Sequence, residues 1–199
     1  WWLAQRQGVA LLRAHGLALA RAPGTWFSTL ALAIRMRSPG VKAFLWQLFY
    51  FLEAGVLADH LRAKGVRHLH NHFGNSSCSV AILAAELAGI PFSFTEHGPA
   101  IFFEVERWAL REKIARARFV VAITHFCRSQ LMLFSEPKDW GKITIVHCGV
   151  DVSAYGRKAT GPFGQRVAFV GRLDPVKGAL LLIEAMAELP QVMPQLHLP

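Results

Sequence analysis

The 199 residues suffice for one domain or for one and a fraction, and 53% hydrophobic against 18% charged side chains supports a sizeable core and excludes global disorder. The formal net charge of +9 is uneven: residues 1–42 carry six basic side chains (Arg6, Arg13, Arg21, Arg35, Arg37, Lys42) and no acidic one. Set among Trp, Leu and Ala, this block predicts a peripheral surface drawn to anionic membrane, against the plainer reading of a solvated basic face on ordinary helices. Nucleic acid is not expected, because no base-reading motif accompanies the charge.

The apolar run Ala43 to Leu52 is about half of the ~20 residues a bilayer requires and contains Gln47, so no transmembrane span is expected. Arg and His interrupt the N-terminal apolar stretches, which argues against a secretory signal. Cys78, Cys127 and Cys148 are odd in number and lack a CxxC pair, the pattern of small buried thiols in a reducing, cytoplasmic setting. Trp1-Trp2 at one end and Leu198-Pro199 at the other suggest a piece truncated at both ends.

Helical patterning runs to about residue 63, and Ala43 to Leu61 is apolar on nearly every face, as in a buried or interfacial helix. Gly65 ends it, and Val66 to His70 reads as a strand. Asn75 and Ser76 can cap a helix through Ala88, terminated by Gly89 and Pro91. Strands are then expected at Phe92–Thr95, Phe119–Thr124 and Ile143–His147, with helices at Glu106–Arg116 and Cys127–Phe134 between them. Short apolar strands alternating with helices predict an α/β fold, a parallel sheet covered on both faces. From Gly149 to Gln165 the composition turns to Gly, Ser, Lys, Pro and Tyr. The organisation expected is a partial domain over 1–152, a linker over 153–164 and the opening of a second domain over 165–199. That second part starts with a strand at Arg166–Val170 and a helix at Val176–Leu189.

The strongest local feature is Phe169-Val170-Gly171-Arg172-Leu173-Asp174-Pro175-Val176-Lys177-Gly178. Here a buried strand would enter a tight turn, with Asp174 as N-cap and Pro175 at the first helical position. Helix N-termini bind anions, and open α/β sheets bind ligands at the carboxyl ends of their strands. Arg172 and Lys177 could there stabilise a departing diphosphate, a task otherwise often done by a metal. A surface Arg and Lys beside an ordinary turn is the competing reading.

Gly171-Arg172, Lys177-Gly178 and the following Leu180-Leu181-Leu182-Ile183-Glu184-Ala185 resemble the start of the donor domain in family 4 of the retaining glycosyltransferases, which have the two-domain GT-B fold of Rossmann-type sheets. Val146-His147-Cys148-Gly149-Val150-Asp151 resembles that family's Gly-Val-Asp strand end at the domain crossover. Thr95-Glu96-His97-Gly98 is similar to its Thr-x-His segment beside the reaction centre. His68-Leu69-His70-Asn71-His72-Phe73 resembles the strand-to-loop segment before a glycine-tolerant helix. Residues 35 to 65 are also similar to the exopolysaccharide, colanic-acid-type branch.

The resemblance implies a transferase moving a glycosyl group from a nucleotide diphosphate sugar to a polysaccharide or lipid-linked glycan, with retention and without a required metal or other cofactor. Gly171, Arg172 and Lys177 would bind the donor diphosphate. His97 would line the cleft near sugar or acceptor, with Glu96, Gly98 and Gly149 also at the interdomain cleft. Glu96 could orient His97 or point to solvent. The family's later acidic motif lies beyond residue 199, and the first strand and glycine-rich loop are missing or unrecognisable, so the chain alone is expected to be inactive.

Two alternatives stay open. His68, His70 and His72 alternate and, with His97 or His125, could ligate metal in a hydrolase; no carboxylate partner is evident, and loop hydrogen bonding or substrate contact competes. A basic non-catalytic binding module is the other. Asn75-Ser76-Ser77 matches a glycosylation acceptor but reads better as a cap, and there is no Walker loop or GxGxxG fingerprint.

Overall fold

The computed structural model describes residues 8–155 and 167–192. Backbone contacts divide the chain into two units, Trp1–Gly149 and Val150–Pro199.

The first unit opens with α1 (Gly8–Arg21), α2 (Pro23–Arg35) and α3 (Val41–Ala63). On α3 the buried positions Gln47, Phe51, Ala54, Gly55, Ala58 and Leu61 recur at helical spacing. Gly55 is required, since a Cβ there would lie 2.2 Å from His15 Nε2. The His15 ring accepts from Trp26 Nε1 at 3.0 Å through Nδ1, so its Nε2–H donates to the Leu52 carbonyl at 3.1 Å. By length and composition α3 could cross a membrane, a capacity the interrupted run at 43–52 concealed; it packs along α1, α2 and α4.

A parallel sheet follows, built from β1 (Leu69–His72), β2 (Phe92–Glu96), β3 (Val120–Ala122) and β4 (Ile143–Ile145) in the order 1-2-3-4. The register pairs His70 with Ser93, His72 with Thr95, and Glu96 with Ala122. Between the strands lie α4 (Ser76–Ala88), α5 (Leu110–Arg116) and α6 (His125–Leu133). Ile82, Leu83, Phe94, Leu110, Ile114 and Val120 are central to the core. This is the α/β, Rossmann-type parallel architecture that the alternating pattern predicts.

Only one face of the sheet is apolar. Alternation puts Phe92, Phe94, Val120 and Ile143 on the core side. The opposite face carries His68, His70, Ser93 and Thr95, roofed by Phe119, whose ring stacks on both imidazoles at 5.7 and 5.8 Å. The cover expected on both faces is thus apolar on one, while on the other the imidazoles and the Phe119 ring bury the hydroxyls.

Other differences have local causes. The first strand starts at Leu69 rather than Val66, because the Val66 amide donates back to Leu61 and, with Gly65 at φ 63°, closes α3. The helix expected from Glu106 begins at Leu110, since Ala109 adopts a left-handed φ of 47°. Cys148 is exposed, whereas Cys78 and Cys127 are buried, and all three are free thiols.

In the second unit Val167 to Val170 form no strand, and Val170 is 95% exposed; among the described residues of this unit no second strand offers a ladder. Gln165 and Arg166 lie outside the described residues, as do Gly156 to Gly164 of the expected linker. The helix expected from Val176 is split: Pro175–Lys177 form a 3-10 turn, Gly178 takes φ 67°, and α7 runs from Ala179 to Val192.

Candidate functional site

The carboxyl ends of β1 and β2 and the N-terminus of α4 meet at one edge of the sheet. Asn75 caps α4, accepting from the Ser77 amide at 3.2 Å, and Gly89 ends it in the left-handed conformation. Between β1 and α4 the chain turns through Phe73 and Gly74. Phe73 carries an unusual φ of 68°, and its amide donates to the Thr95 carbonyl at 2.7 Å. The Asn71 amide group braces the turn by donating to the carbonyls of His72 and Phe73 at 2.9 and 2.7 Å.

Glu96 sits beneath this turn at 2% exposure. Its Oε2 accepts from the Gly74 amide at 2.8 Å, and its Oε1 accepts from the amides of His97 and Gly98 at 3.1 and 3.3 Å. Of the two roles considered for Glu96, neither is taken as stated: it fixes the backbone at His97 rather than the imidazole, and it does not face solvent. Burial raises its pKa, opposed by those three amides and by Lys113.

Lys113 is a site residue that the sequence pattern hides. It is fully buried on α5, and its ammonium donates to the carbonyls of Gly74 and Asn75 at 2.8 and 2.9 Å. Desolvation pulls its pKa down to about 8. Gly74 is the second hidden residue: a Cβ there would lie 2.4 Å from Ile101 Cδ1 and 2.7 Å from Glu96 Oε2. The signals were faint. Lys113 shares a helical face with Leu110, Ile114 and Ala117, and Gly74 directly follows the histidine run.

Above this support the imidazoles converge. His72 Nδ1 lies 2.7 Å from His97 Nε2, so the pair shares one proton, and the Phe73 ring packs on His97 at 4.9 Å. Cys148 Sγ approaches His97 Nδ1 at 3.8 Å. Burial and the neighbouring His72 lower the His97 pKa, which favours the neutral ring. A neutral imidazole with a hydrogen-bonded partner can accept a proton from a hydroxyl or simply orient one.

The other histidines are occupied otherwise. His68 and His70 both bond the Ser93 hydroxyl at 2.7 Å, and His70 reaches Thr95 at 2.9 Å. His125 lies near His147, rings 6.0 Å apart, away from the His72–His97 pair in the bonding pattern. Among the described residues no group of three His, Cys, Asp or Glu side chains is arranged to hold a metal, so the hydrolase alternative has no ligand set there.

Gly98 begins the 3-10 turn Pro99–Phe103, and Gly149 is the exposed last residue of the first unit. Gly171, Arg172 and Lys177 lie in the second unit, all exposed. Asp174 Oδ1 accepts from the Val176 amide at 3.0 Å, so the cap exists, but it closes the short 3-10 turn rather than α7. Among the described residues neither Arg172 nor Lys177 makes an ion pair.

Residues 9–154 match the sequence family described as Glycosyltransferase Family 4. Two curated relatives are each named D-inositol 3-phosphate glycosyltransferase. The protein from Mycolicibacterium gilvum is 32% identical over 146 residues, covering 62% of this chain and 32% of the relative. That from Segniliparus rotundus is 30% identical over 173 residues, covering 73% and 37% respectively. The chain therefore spans about a third of the length of the curated relatives it matches.

Proposed function

Because the chain belongs to glycosyltransferase family 4, we propose that it carries the acceptor side, and the opening of the donor side, of an enzyme that transfers a sugar from a nucleotide diphosphate to a glycan or lipid-linked acceptor. The finer reading is a retaining, metal-independent GT-B transferase of exopolysaccharide synthesis, acting in the cytoplasm at the inner membrane face. In it, residues 1–152 form the acceptor-side domain, 153–164 a linker, and 165–199 the start of the donor domain. The piece alone is inactive.

The observation that carries this reading is the neutral, paired His97 at the carboxyl edge of the sheet, held in place from below by Glu96. A hydroxyl acceptor bound there meets a ring able to take or orient its proton. The donor diphosphate falls to Arg172 and Lys177, whose exposed cations would stabilise charge as the glycosidic bond breaks. The relatives' names point to an acceptor that is both hydroxylated and phosphorylated, and we assign the acceptor here to the same chemical class.

The test is turnover of a nucleotide diphosphate sugar by the longer enzyme, with a chelator present. Arg172→Ala and Lys177→Ala should each lower kcat by roughly two orders of magnitude. Undiminished turnover in both variants removes the donor assignment, and strict dependence on added metal removes the metal-independent mechanism.

A further inference from the structure

A cavity of about 770 Å³ opens between the start of α3, the start of α4 and the segment preceding α5. Its lining includes two cations, Lys42 and Arg107, and no carboxylate. The Arg107 guanidinium lies over the Trp108 ring at 4.7 Å, and its partner Glu104, at 2.7 Å, is an exposed one that water already weakens. Trp46 and Tyr50 form an aromatic wall, their rings 5.9 Å apart and tilted by 31°.

Two polar side chains in the lining have spare bonding capacity. Gln47, 6% exposed, donates through Nε2 to the Met36 carbonyl at 3.3 Å, while its Oε1 has no partner. Ser38 Oγ is likewise buried without one. Both atoms have almost no accessible surface, so they lie behind the cavity wall, and a molecule in the cavity meets them only if these side chains turn. On the open wall itself the two cations call for an anion. Indole faces offer apolar platforms for a ring.

We propose that this cavity binds the phosphorylated, hydroxylated headgroup of the acceptor, with phosphate between Lys42 and Arg107 and the ring against Trp46 and Trp108. The proposal rests on the transferase reading for the word acceptor, but its chemistry stands on the cavity alone. The cavity and the imidazole pair share one loop: Ser76, the first residue of α4, lines the cavity and bonds the Tyr50 hydroxyl, and Gly74, two residues earlier, is bound to Glu96 below His97.

Calorimetric titration of the 199-residue chain tests this with glucose 1-phosphate, glucose, inorganic phosphate, uridine diphosphate and a short-chain prenyl-phosphate-linked glucose. Glucose 1-phosphate is expected to bind at least about tenfold more tightly than glucose or phosphate, and Lys42→Ala and Arg107→Ala should each weaken it by about tenfold. Both side chains are exposed, so melting curves should match the parent, and Lys42→Arg should retain binding. Tighter binding of the prenyl-linked probe assigns a lipid source, and equal binding assigns a soluble one. Binding no stronger than that of phosphate, indifference to both alanine variants, or preference for uridine diphosphate would each overturn the proposal. None of these results depends on Arg172 or Lys177, so the donor-side reading can fail or survive separately.

Discussion

Glu96 and Lys113 hold Gly74 from opposite ends, the carboxylate accepting its amide and the ammonium donating to its carbonyl, each at 2.8 Å. The residue is thus fixed by one buried acid and one buried base that need not touch each other. Gly74→Ala should therefore be poorly tolerated, because the new methyl has both Ile101 and Glu96 in its way. A loss of about 1–3 kcal/mol in urea unfolding is expected; parental stability would show that the loop is less fixed than described.

Lys113→Met removes the donor to two carbonyls and should destabilise the chain at neutral pH by about 1–3 kcal/mol. The pH dependence is more telling. The folded pKa is about 8 against an unperturbed 10.5, so between these values the unfolded chain binds more protons and stability contributed by this group rises with pH. The parent should gain on the variant across that window. A gap between the two that stays constant would contradict the buried assignment.

Protonation works in the opposite range at the imidazoles. The folded pKa values of His97 and His70 lie below 6.5, so as pH falls through that value the unfolded chain takes up protons first and stability declines. His97→Gln should make the acid decline shallower, as read by thermal melts through mildly acidic buffers. An unchanged slope would mean that the His72–His97 pair does not form in solution.

Phe73 pays for its place with backbone strain. At φ 68° an L-residue costs roughly 1–2 kcal/mol, which glycine would recover. Phe73→Gly loses the ring packed on His97 in exchange. We expect stability within about 1 kcal/mol of the parent but a fall in kcat of the longer enzyme at unchanged donor KM. Equal kcat would reduce Phe73 to a surface aromatic.

Much of the fold was legible where local chemistry is unambiguous. Asn75 and Gly89 delimit α4 because a side-chain cap and a left-handed glycine leave little choice. The short motif draws attention to Glu96, His97 and Gly98, but no pattern could show the bond that Glu96 makes, since its partner Gly74 is 22 residues away. Lys113 is not legible in the sequence, because a lysine on a seven-residue helix reads as solvated unless its long-range partners are known. Val66 and Gly178 show a related limit. A β-branched residue after a glycine reads as a strand start, and a glycine in a Leu-rich run as helix, until the backbone reveals the helix closure and the break.

The loop between β1 and α4 owes its shape to groups that are already satisfied by the protein itself. With the backbone of Gly74, His97 and Gly98 held through hydrogen bonds to buried Glu96 and Lys113, the turn has little left to order when another molecule meets it. Contact with this edge of the sheet would then be governed by shape and charge rather than by rearrangement of the chain.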